Sequence, residues 1–469
     1  MRRKFIYFIK IMLFVFGLSL LLWKTYGVLS WKDTSGDYVS STQQLYHTPE
    51  NTMDVVFLGS SHCYCSSLPN FLWESDGISA FDMAISGQDK STTVHALQEL
   101  LKTQKPKVVM VEMYGLCFER QLIDGNEYRN MLSLKPSLNS VQLVREYIEP
   151  ERQKDFLLRW PIIHTRFWEV GKYDYVTYAP SIYGRSAGFS WYVGGAVSPG
   201  EYLSEEIGVL TENNKKWLER LVKLKKEYDF ELVCYLAPFQ AKKEDMLQIN
   251  AAKEFARDNG IPFLDLNRER YELGLKDDED YLDEYHCNTA GAKKVTDAIG
   301  EYLKKNYSLK DHRGDEAYHL WELDSQWYHH EEFADRLENG TDMEKLIEEL
   351  ALRKDIYCVI SIDFTDFDID RESYAKMLKP LKLEKEDVLR EGKWIYHNGE
   401  LTKIMENGRE GKEFCIDLSD TDSMRIRYTD VRNPSDIRIN YTDYLLNIAP
   451  VTIVNYDEFL EEPIHSLYF

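Results

Sequence analysis

Two short clusters of reactive side chains stand far apart in the sequence. The first, Gly59-Ser60-Ser61-His62, directly follows the β-branched run Asp54-Val-Val-Phe-Leu58. A serine on a strand-to-helix turn lies at the carboxyl end of a parallel sheet, where open sheets bind ligands, and its N–H can point at a developing oxyanion. The second cluster, Asp283-Glu284-Tyr285-His286, stands just before a helical pattern. A serine needs a base to become a nucleophile, and a histidine needs a carboxylate to fix its tautomer and steady the imidazolium. An Asp three residues before the His can fold back onto the imidazole nitrogen facing away from the serine. Each cluster also has a plainer reading. Gly-Ser-Ser is a common turn, and Asp283 with Asn288 could serve as helix caps. Gly87, closing a strand candidate between the two, makes the set more specific than its parts.

These residues need elements to position them, and the chain supplies an alternating pattern. Strand signals at 54–58, 78–85, 107–111, 231–236 and 261–266 alternate with helical spacing at 90–102, 213–228, 247–259 and from Thr289 onward. Strands alternating with helices imply right-handed crossovers and a parallel sheet covered on both faces. Residues 51–308 therefore read as a three-layer α/β domain, with 120–210 as an insertion and 309–352 as a charged connector. From 353 to 469 the strand-like runs Tyr357–Phe364, Trp394–Tyr396, Ser423–Tyr428 and Val451–Val454 indicate a smaller β-rich α+β domain.

The N-terminus opens with Arg2, Arg3 and Lys4 as a short tail (1–4), followed by an apolar run from Phe5 to Trp23 that only Lys10 interrupts. That approaches the roughly 20 residues that span a bilayer. No small-x-small cleavage site follows Trp23, so 5–29 reads as a retained transmembrane anchor rather than a signal peptide. The basic residues place the N-terminus in the cytoplasm and, beyond a polar stem at 30–50, the main domains outside. The chain carries 79 acidic against 57 basic side chains, a net charge of −22. A surface that acidic argues against nucleic acid as the main partner. Seven cysteines in 469 residues do not make a disulfide scaffold.

Gly59-Ser60-Ser61, the later Gly87 and Asp283-x-x-His286 before a helix resemble the SGNH (GDSL-type) hydrolase superfamily over residues 51–308. Gly-Ser-Ser in place of Gly-Asp-Ser is similar to the membrane-anchored DltD-type and alginate-acetylation-type members, which act on cell-envelope polymers. The resemblance implies Ser61 as nucleophile, His286 as base and Asp283 as its orienting acid, with the N–H groups of Ser61 and Gly87 as the oxyanion hole. It also implies a departure. The family's Gly-x-Asn-Asp block should follow Val108–Val111, where this chain reads Glu112-Met113-Tyr114-Gly115, so the Asn side chain that donates a third oxyanion hydrogen bond is not identifiable. One such donor is worth about 10²–10³ in rate.

The neighbours of these motifs have structural readings. His62 points elsewhere on the turn, and Cys63, Cys65 and Cys287 read as small buried side chains, with a Cys287 disulfide to Cys63 or Cys65 as the alternative. His319, His329 and His330 lack metal-ligand company and read as solvated; no metal or cofactor is expected. Trp191 and Tyr192, in Trp191-Tyr-Val-Gly-Gly195, could stack on a sugar or simply pack as a turn. The segments Asp355–Asp363, Leu378–Leu381, Val451–Asp457 and Ile464–Phe469 resemble the interleukin-like EMT-inducer (FAM3-type) domain, which implies carbohydrate binding or partner docking; the equal alternative is a stabilising accessory domain. The expected function is extracytoplasmic acyl transfer, most simply O-acetylation, onto a cell-surface polysaccharide. A multi-pass membrane acyltransferase would be the partner that delivers the acyl group. The alternatives are a carbohydrate esterase with the same triad, or a non-catalytic glycan-binding scaffold.

Overall fold

The computed structural model describes residues 2–30, 44–118, 126–132, 134–168, 170, 203–365, 367, 369–405, 413–420, 422–427, 436–445 and 449–469. They form two compact units, Met1–Ser325 and Gln326–Phe469.

The first unit begins with one long helix, Arg2–Leu29. Its side chains from Phe5 to Trp23 are bare on every face, and none of its most apolar stretch is buried within the protein. A core helix would hide these groups. This one is instead long and apolar enough to cross a membrane.

The sheet of this unit has five parallel strands: β1 (Val55–Leu58), β2 (Ala80–Asp82), β3 (Val108–Glu112), β4 (Glu231–Leu236) and β5 (Phe263–Asp265). Their order is β2-β1-β3-β4-β5. Val55 pairs with Val108 and Leu58 with Val111, so Gly59 leaves the sheet level with Glu112. All of Val55–Leu58 and Val108–Val111 are fully buried, as continuous apolar strands must be when helices cover both faces. Val56, Leu58, Val109, Val111, Leu232 and Cys234 share one core with helices Lys90–Leu100, Glu212–Tyr228 and Lys243–Asp258. Their alternates, among them Phe57, Met110 and Tyr235, point to the other face.

From β1 the chain steps to β2 on one side and then returns to β3 on the other. The crevice at the carboxyl ends of β1 and β3 is therefore the topological switch point of the sheet. Strand β2 proper spans Ala80–Asp82, but the chain stays beside β1 beyond it, with the Met83 N–H donating to the Phe57 carbonyl at 2.9 Å and the Ile85 N–H to the Gly59 carbonyl at 3.2 Å, while an Asp82 carboxyl oxygen accepts the Ala84 N–H at 2.7 Å. Within the stretch read as an insertion, the described helices Asn126–Leu132, Leu138–Tyr147 and Gln153–Leu158 close on a small core of their own, centred on Leu143, Tyr147 and Phe156.

The second unit holds two antiparallel sheets. One has the order β14-β13-β6-β7-β8, from β6 (Ile356–Ile362), β7 (Gly392–His397), β8 (Glu400–Met405), β13 (Val451–Asp457) and β14 (Glu462–Tyr468). The other has the order β12-β11-β10-β9, from β9 (Glu413–Asp417), β10 (Ser423–Arg427), β11 (Asp436–Ile439) and β12 (Thr442–Asp443). Residues on β6 alternate cleanly. Cys358, Ile360 and Ile362 pack with Phe333, Ile347, Leu350 and Leu378 from helices, whereas Val359 packs with Met424, Ile426 and Ile437 of the other sheet.

One histidine in this unit corrects the sequence reading. His319 and His329 are exposed, but His330 is buried. Its Nδ1 lies 2.6 Å from Asp457 and its Nε2 3.2 Å from Asp355, and its ring stacks on Phe459. Helical spacing leaves His329 in solvent and turns its neighbour inward, where carboxylates distant in sequence, Asp355 and Asp457, meet it.

Candidate active site

Gly59 sets the position of Ser61, the nucleophile expected from the sequence. A Cβ there would come within 2.8 Å of the Glu112 Cβ and 2.9 Å of the Cys63 Cβ, so no larger residue fits between β1, β3 and the turn. After it Ser60 is extended, and Ser61 opens the one-turn helix Ser61–Tyr64. First-turn N–H groups of a helix have no partner within it. The Ser61 and Gly87 N–H groups have no hydrogen-bond partner among the described residues. Gly87 has φ +62°, a left-handed conformation that favours glycine.

His286, the expected base, arrives on a separate loop. An antiparallel bridge between Tyr281 and Cys287 closes it, and the Leu282 N–H donates to the His286 carbonyl at 2.9 Å. The loop rests on the start of the helix Thr289–Asn306, whose cap is Asn288, with Oδ1 accepting the Gly291 N–H at 3.1 Å. Gly291 permits that approach: a Cβ there would sit 2.2 Å from the Asp280 carbonyl.

The two clusters meet. His286 Nε2 lies 2.8 Å from Ser61 Oγ, and His286 Nδ1 lies 2.9 Å from each carboxylate oxygen of Asp283. With Nδ1–H donating to Asp283, Nε2 is left to accept the serine proton. Asp283 Oδ1 also accepts the backbone N–H groups of Tyr285 and His286, so of the two residues read as helix caps only Asn288 caps the helix, while Asp283 braces its own loop and partners the imidazole.

His62 corrects an expectation. It does not turn away but walls the site, stacked on Tyr114 at 3.5 Å between ring centres, edge-on to Phe239 and 5.0 Å from the His286 ring. The Tyr114 ring that follows β3 offers it a flat apolar face. Burial, with the nearby charge of His286, holds His62 well below the usual histidine range, so it stands neutral beside His286. Cys63, Cys65 and Cys287 are buried free thiols. Cys63 faces Asp82 at 3.6 Å and the Tyr235 hydroxyl at 3.3 Å. Trp191 and Tyr192 lie outside the described residues.

Two carboxyl groups that sequence reasoning passed over, or met only as a mismatch, lie under the turn. Burial pushes both Asp82 and Glu112 up to about 8. Glu112 stands at the first position of the expected Gly-x-Asn-Asp block, with Tyr114 at the asparagine position; its carboxyl group is turned to backbone, accepting from Tyr114 N–H at 2.9 Å and from Ala237 N–H at 3.4 Å. It ties the ends of β3 and β4 together. Asn130 is another residue the sequence did not signal. Fully buried on the helix Asn126–Leu132, it reaches the Gly87 carbonyl at 3.5 Å and the Asp89 N–H at 3.4 Å, holding the Gly87 loop from the outside. Among the described residues no group of three or more His, Cys, Asp or Glu side chains could hold a metal ion.

No family model matches the chain, and no curated protein matches it. Among solved structures it is similar to a Bacteroides fragilis protein to which acylhydrolase activity is ascribed. The match has 13% identity and a TM-score of 0.30, and covers 59% of this chain and 99% of the other. A superposition that loose leaves the chemistry of the site to its own residues.

Proposed function

We propose that the protein is a membrane-anchored serine acyltransferase that moves an acyl group, most simply acetyl, from an ester donor to a hydroxyl of a cell-surface polysaccharide. The observation that carries this reading is the unbroken contact Ser61–His286–Asp283. In the first half-reaction Ser61 Oγ attacks the donor carbonyl while His286 Nε2 takes its proton, and Asp283 steadies the imidazolium. The oxyanion is met by the N–H groups of Ser61 and Gly87. Collapse expels the donor alcohol, which regains the proton from His286, and leaves an acyl-Ser61 ester. In the second half an acceptor hydroxyl gives its proton to His286 and attacks that ester. The product ester leaves, and the proton returns to Ser61.

Water in the acceptor's place would make the same machinery an esterase. The bare apolar helix favours transfer, since an anchor would keep the site beside a multi-pass membrane partner that supplies acyl groups. With Tyr114, stacked on His62, at the position of the family's asparagine, the site works with two backbone donors, and a lower rate is expected than with a third. The test incubates the protein with an acetyl ester and an oligosaccharide and follows both by mass. Acetylated sugar, with a transient acetyl on the Ser61 peptide, is expected. Acetate without acetylated sugar would assign hydrolysis, and a folded protein yielding neither product would overturn the enzymatic reading in favour of a glycan-binding scaffold.

A further inference from the structure

The apolar helix is free of the rest of its unit until its last turns. There Tyr26 meets Trp160 edge to face at 6.1 Å, and Arg166 Nη1 donates to the carbonyls of Leu29 at 3.0 Å and Ser30 at 2.6 Å. These contacts fix the segment Gln153–Trp168 beside the point where the apolar run ends. Tyr26 lies three residues past Trp23, about 4.5 Å along a helix axis. If Phe5–Trp23 fills the hydrocarbon layer, Tyr26 stands among the headgroups, and the segment touching it stands at the same depth.

That segment is dressed for such a place. Leu157 and Leu158 end one of its helices with exposures of 41% and 65%, and Phe167 and Trp168 are exposed by 53% and 84%. The Phe167 and Trp168 rings lie 4.2 Å apart at their centres. Large apolar side chains left exposed along one short segment mark an interaction site, and tryptophan in particular favours the membrane–water boundary. Arg159 donates to the carbonyls of Met131 and Leu134, and Arg166 to those of Leu29 and Ser30, which ties the segment to the helix Asn126–Leu132 and to the end of the anchor.

We propose that Leu157, Leu158, Phe167 and Trp168 insert into the lipid interface around the chain's own anchor and hold the Gln153–Trp168 segment flat on the bilayer. This rests on the reading of the N-terminal helix as a membrane anchor, and it holds for either orientation of that helix. Its consequence is that the first unit is pinned at two points rather than swinging on a single tether.

The test uses the full chain reconstituted in phosphatidylcholine vesicles whose acyl chains carry bromine near the glycerol end. Tryptophan emission is compared among the wild type, Trp168→Phe and Trp23→Phe. Trp168 is so exposed that phenylalanine there should leave the fold intact. The emission that disappears with Trp168 is expected to lose most of its intensity in brominated vesicles, as is that of Trp23. Quenching of Trp23 with none of Trp168 would overturn the proposal while leaving the anchor in place. Such a result joined to concentration-dependent self-association would make a second copy the occupant. If neither is quenched, the anchor reading fails and the proposal falls with it.

Discussion

At the scale of single residues the central object is the hydrogen-bonded line from Ser61 through His286 to Asp283, in which each atom has one task. Asp283 is half exposed, so its part is to fix the ring tautomer more than to supply field. Asp283→Asn should therefore lower kcat on an acetyl ester by up to about 10⁴-fold while leaving KM nearly unchanged, as steady-state kinetics would read. An equal rise in KM would mean that Asp283 binds substrate instead. Beneath the serine, Glu112 behaves differently in the folded and unfolded chain. Folded, it keeps its proton up to about 8; unfolded, it loses it near its ordinary value of 4.5. Between those values the folded state binds more protons, so stability falls as pH rises, by about 1.4 kcal/mol per pH unit for each such group. Glu112→Gln removes this contribution. The unfolding free energy of the first unit should then fall less steeply over that range, by about the same amount per pH unit. A slope identical to the wild type would show that Glu112 is ionised in the fold.

At the scale of elements the site depends on two close approaches, each made by a glycine. Gly59 lets β1 turn past Glu112, and Gly291 lets the helix Thr289–Asn306 start against the Asp280 carbonyl. In Gly291→Ala the new methyl must displace the loop that carries Asp283 and His286. Overpacking of this kind costs about 1–3 kcal/mol. The expected result is a modest loss of thermal stability with a much larger loss of esterase rate. Loss of stability alone would mean that the loop is not coupled to the helix start. Much of this was legible in sequence. The apolar runs at 55–58 and 108–111 gave buried strands, and the spacing of Ala292, Val295, Ile299 and Leu303 gave the last helix with its buried face. Strand-turn-helix logic placed Ser61, and the Asp-x-x-His spacing allowed Asp283 to fold back. What the sequence hid were partners chosen by tertiary packing. The inward turn of His62 depends on the Tyr114 ring, and nothing local marks Asn130 as the brace of the Gly87 loop. Asp82, inside the strand candidate 78–85, and Glu112, met only as a departure from the Gly-x-Asn-Asp block, carry no local sign that the fold buries both.

At the scale of the whole molecule, an apolar helix, a parallel-sheet unit and a β-rich unit carry distinct kinds of stability. The second unit contains a buried ionic centre, His330 between Asp457 and Asp355. Burial pulls His330 down, but its hydrogen bonds to Asp355 and Asp457 outweigh that and raise it above the usual histidine value. Its stabilising effect is therefore full on the acid side of that value and fades as pH rises through the raised one. The Asp457 side chain is completely buried and also accepts the Phe459 and Leu460 N–H groups, so its removal leaves an unpaired group in the core. Asp457→Asn should cost the second unit about 3–5 kcal/mol. Hydrogen exchange would read this as faster exchange in β6 and β13, with the parallel sheet unchanged. Uniform acceleration through both units, or none, would contradict it. Proposed catalysis belongs to the first unit, and its most direct test treats the full-length protein in membranes with a fluorophosphonate and locates the adduct by mass. The predicted result is one adduct on Ser61, absent in Ser61→Ala and slowed by orders of magnitude in His286→Ala. A folded wild-type protein that leaves Ser61 unmodified, or a His286→Ala variant that reacts as fast as the wild type, would contradict the triad.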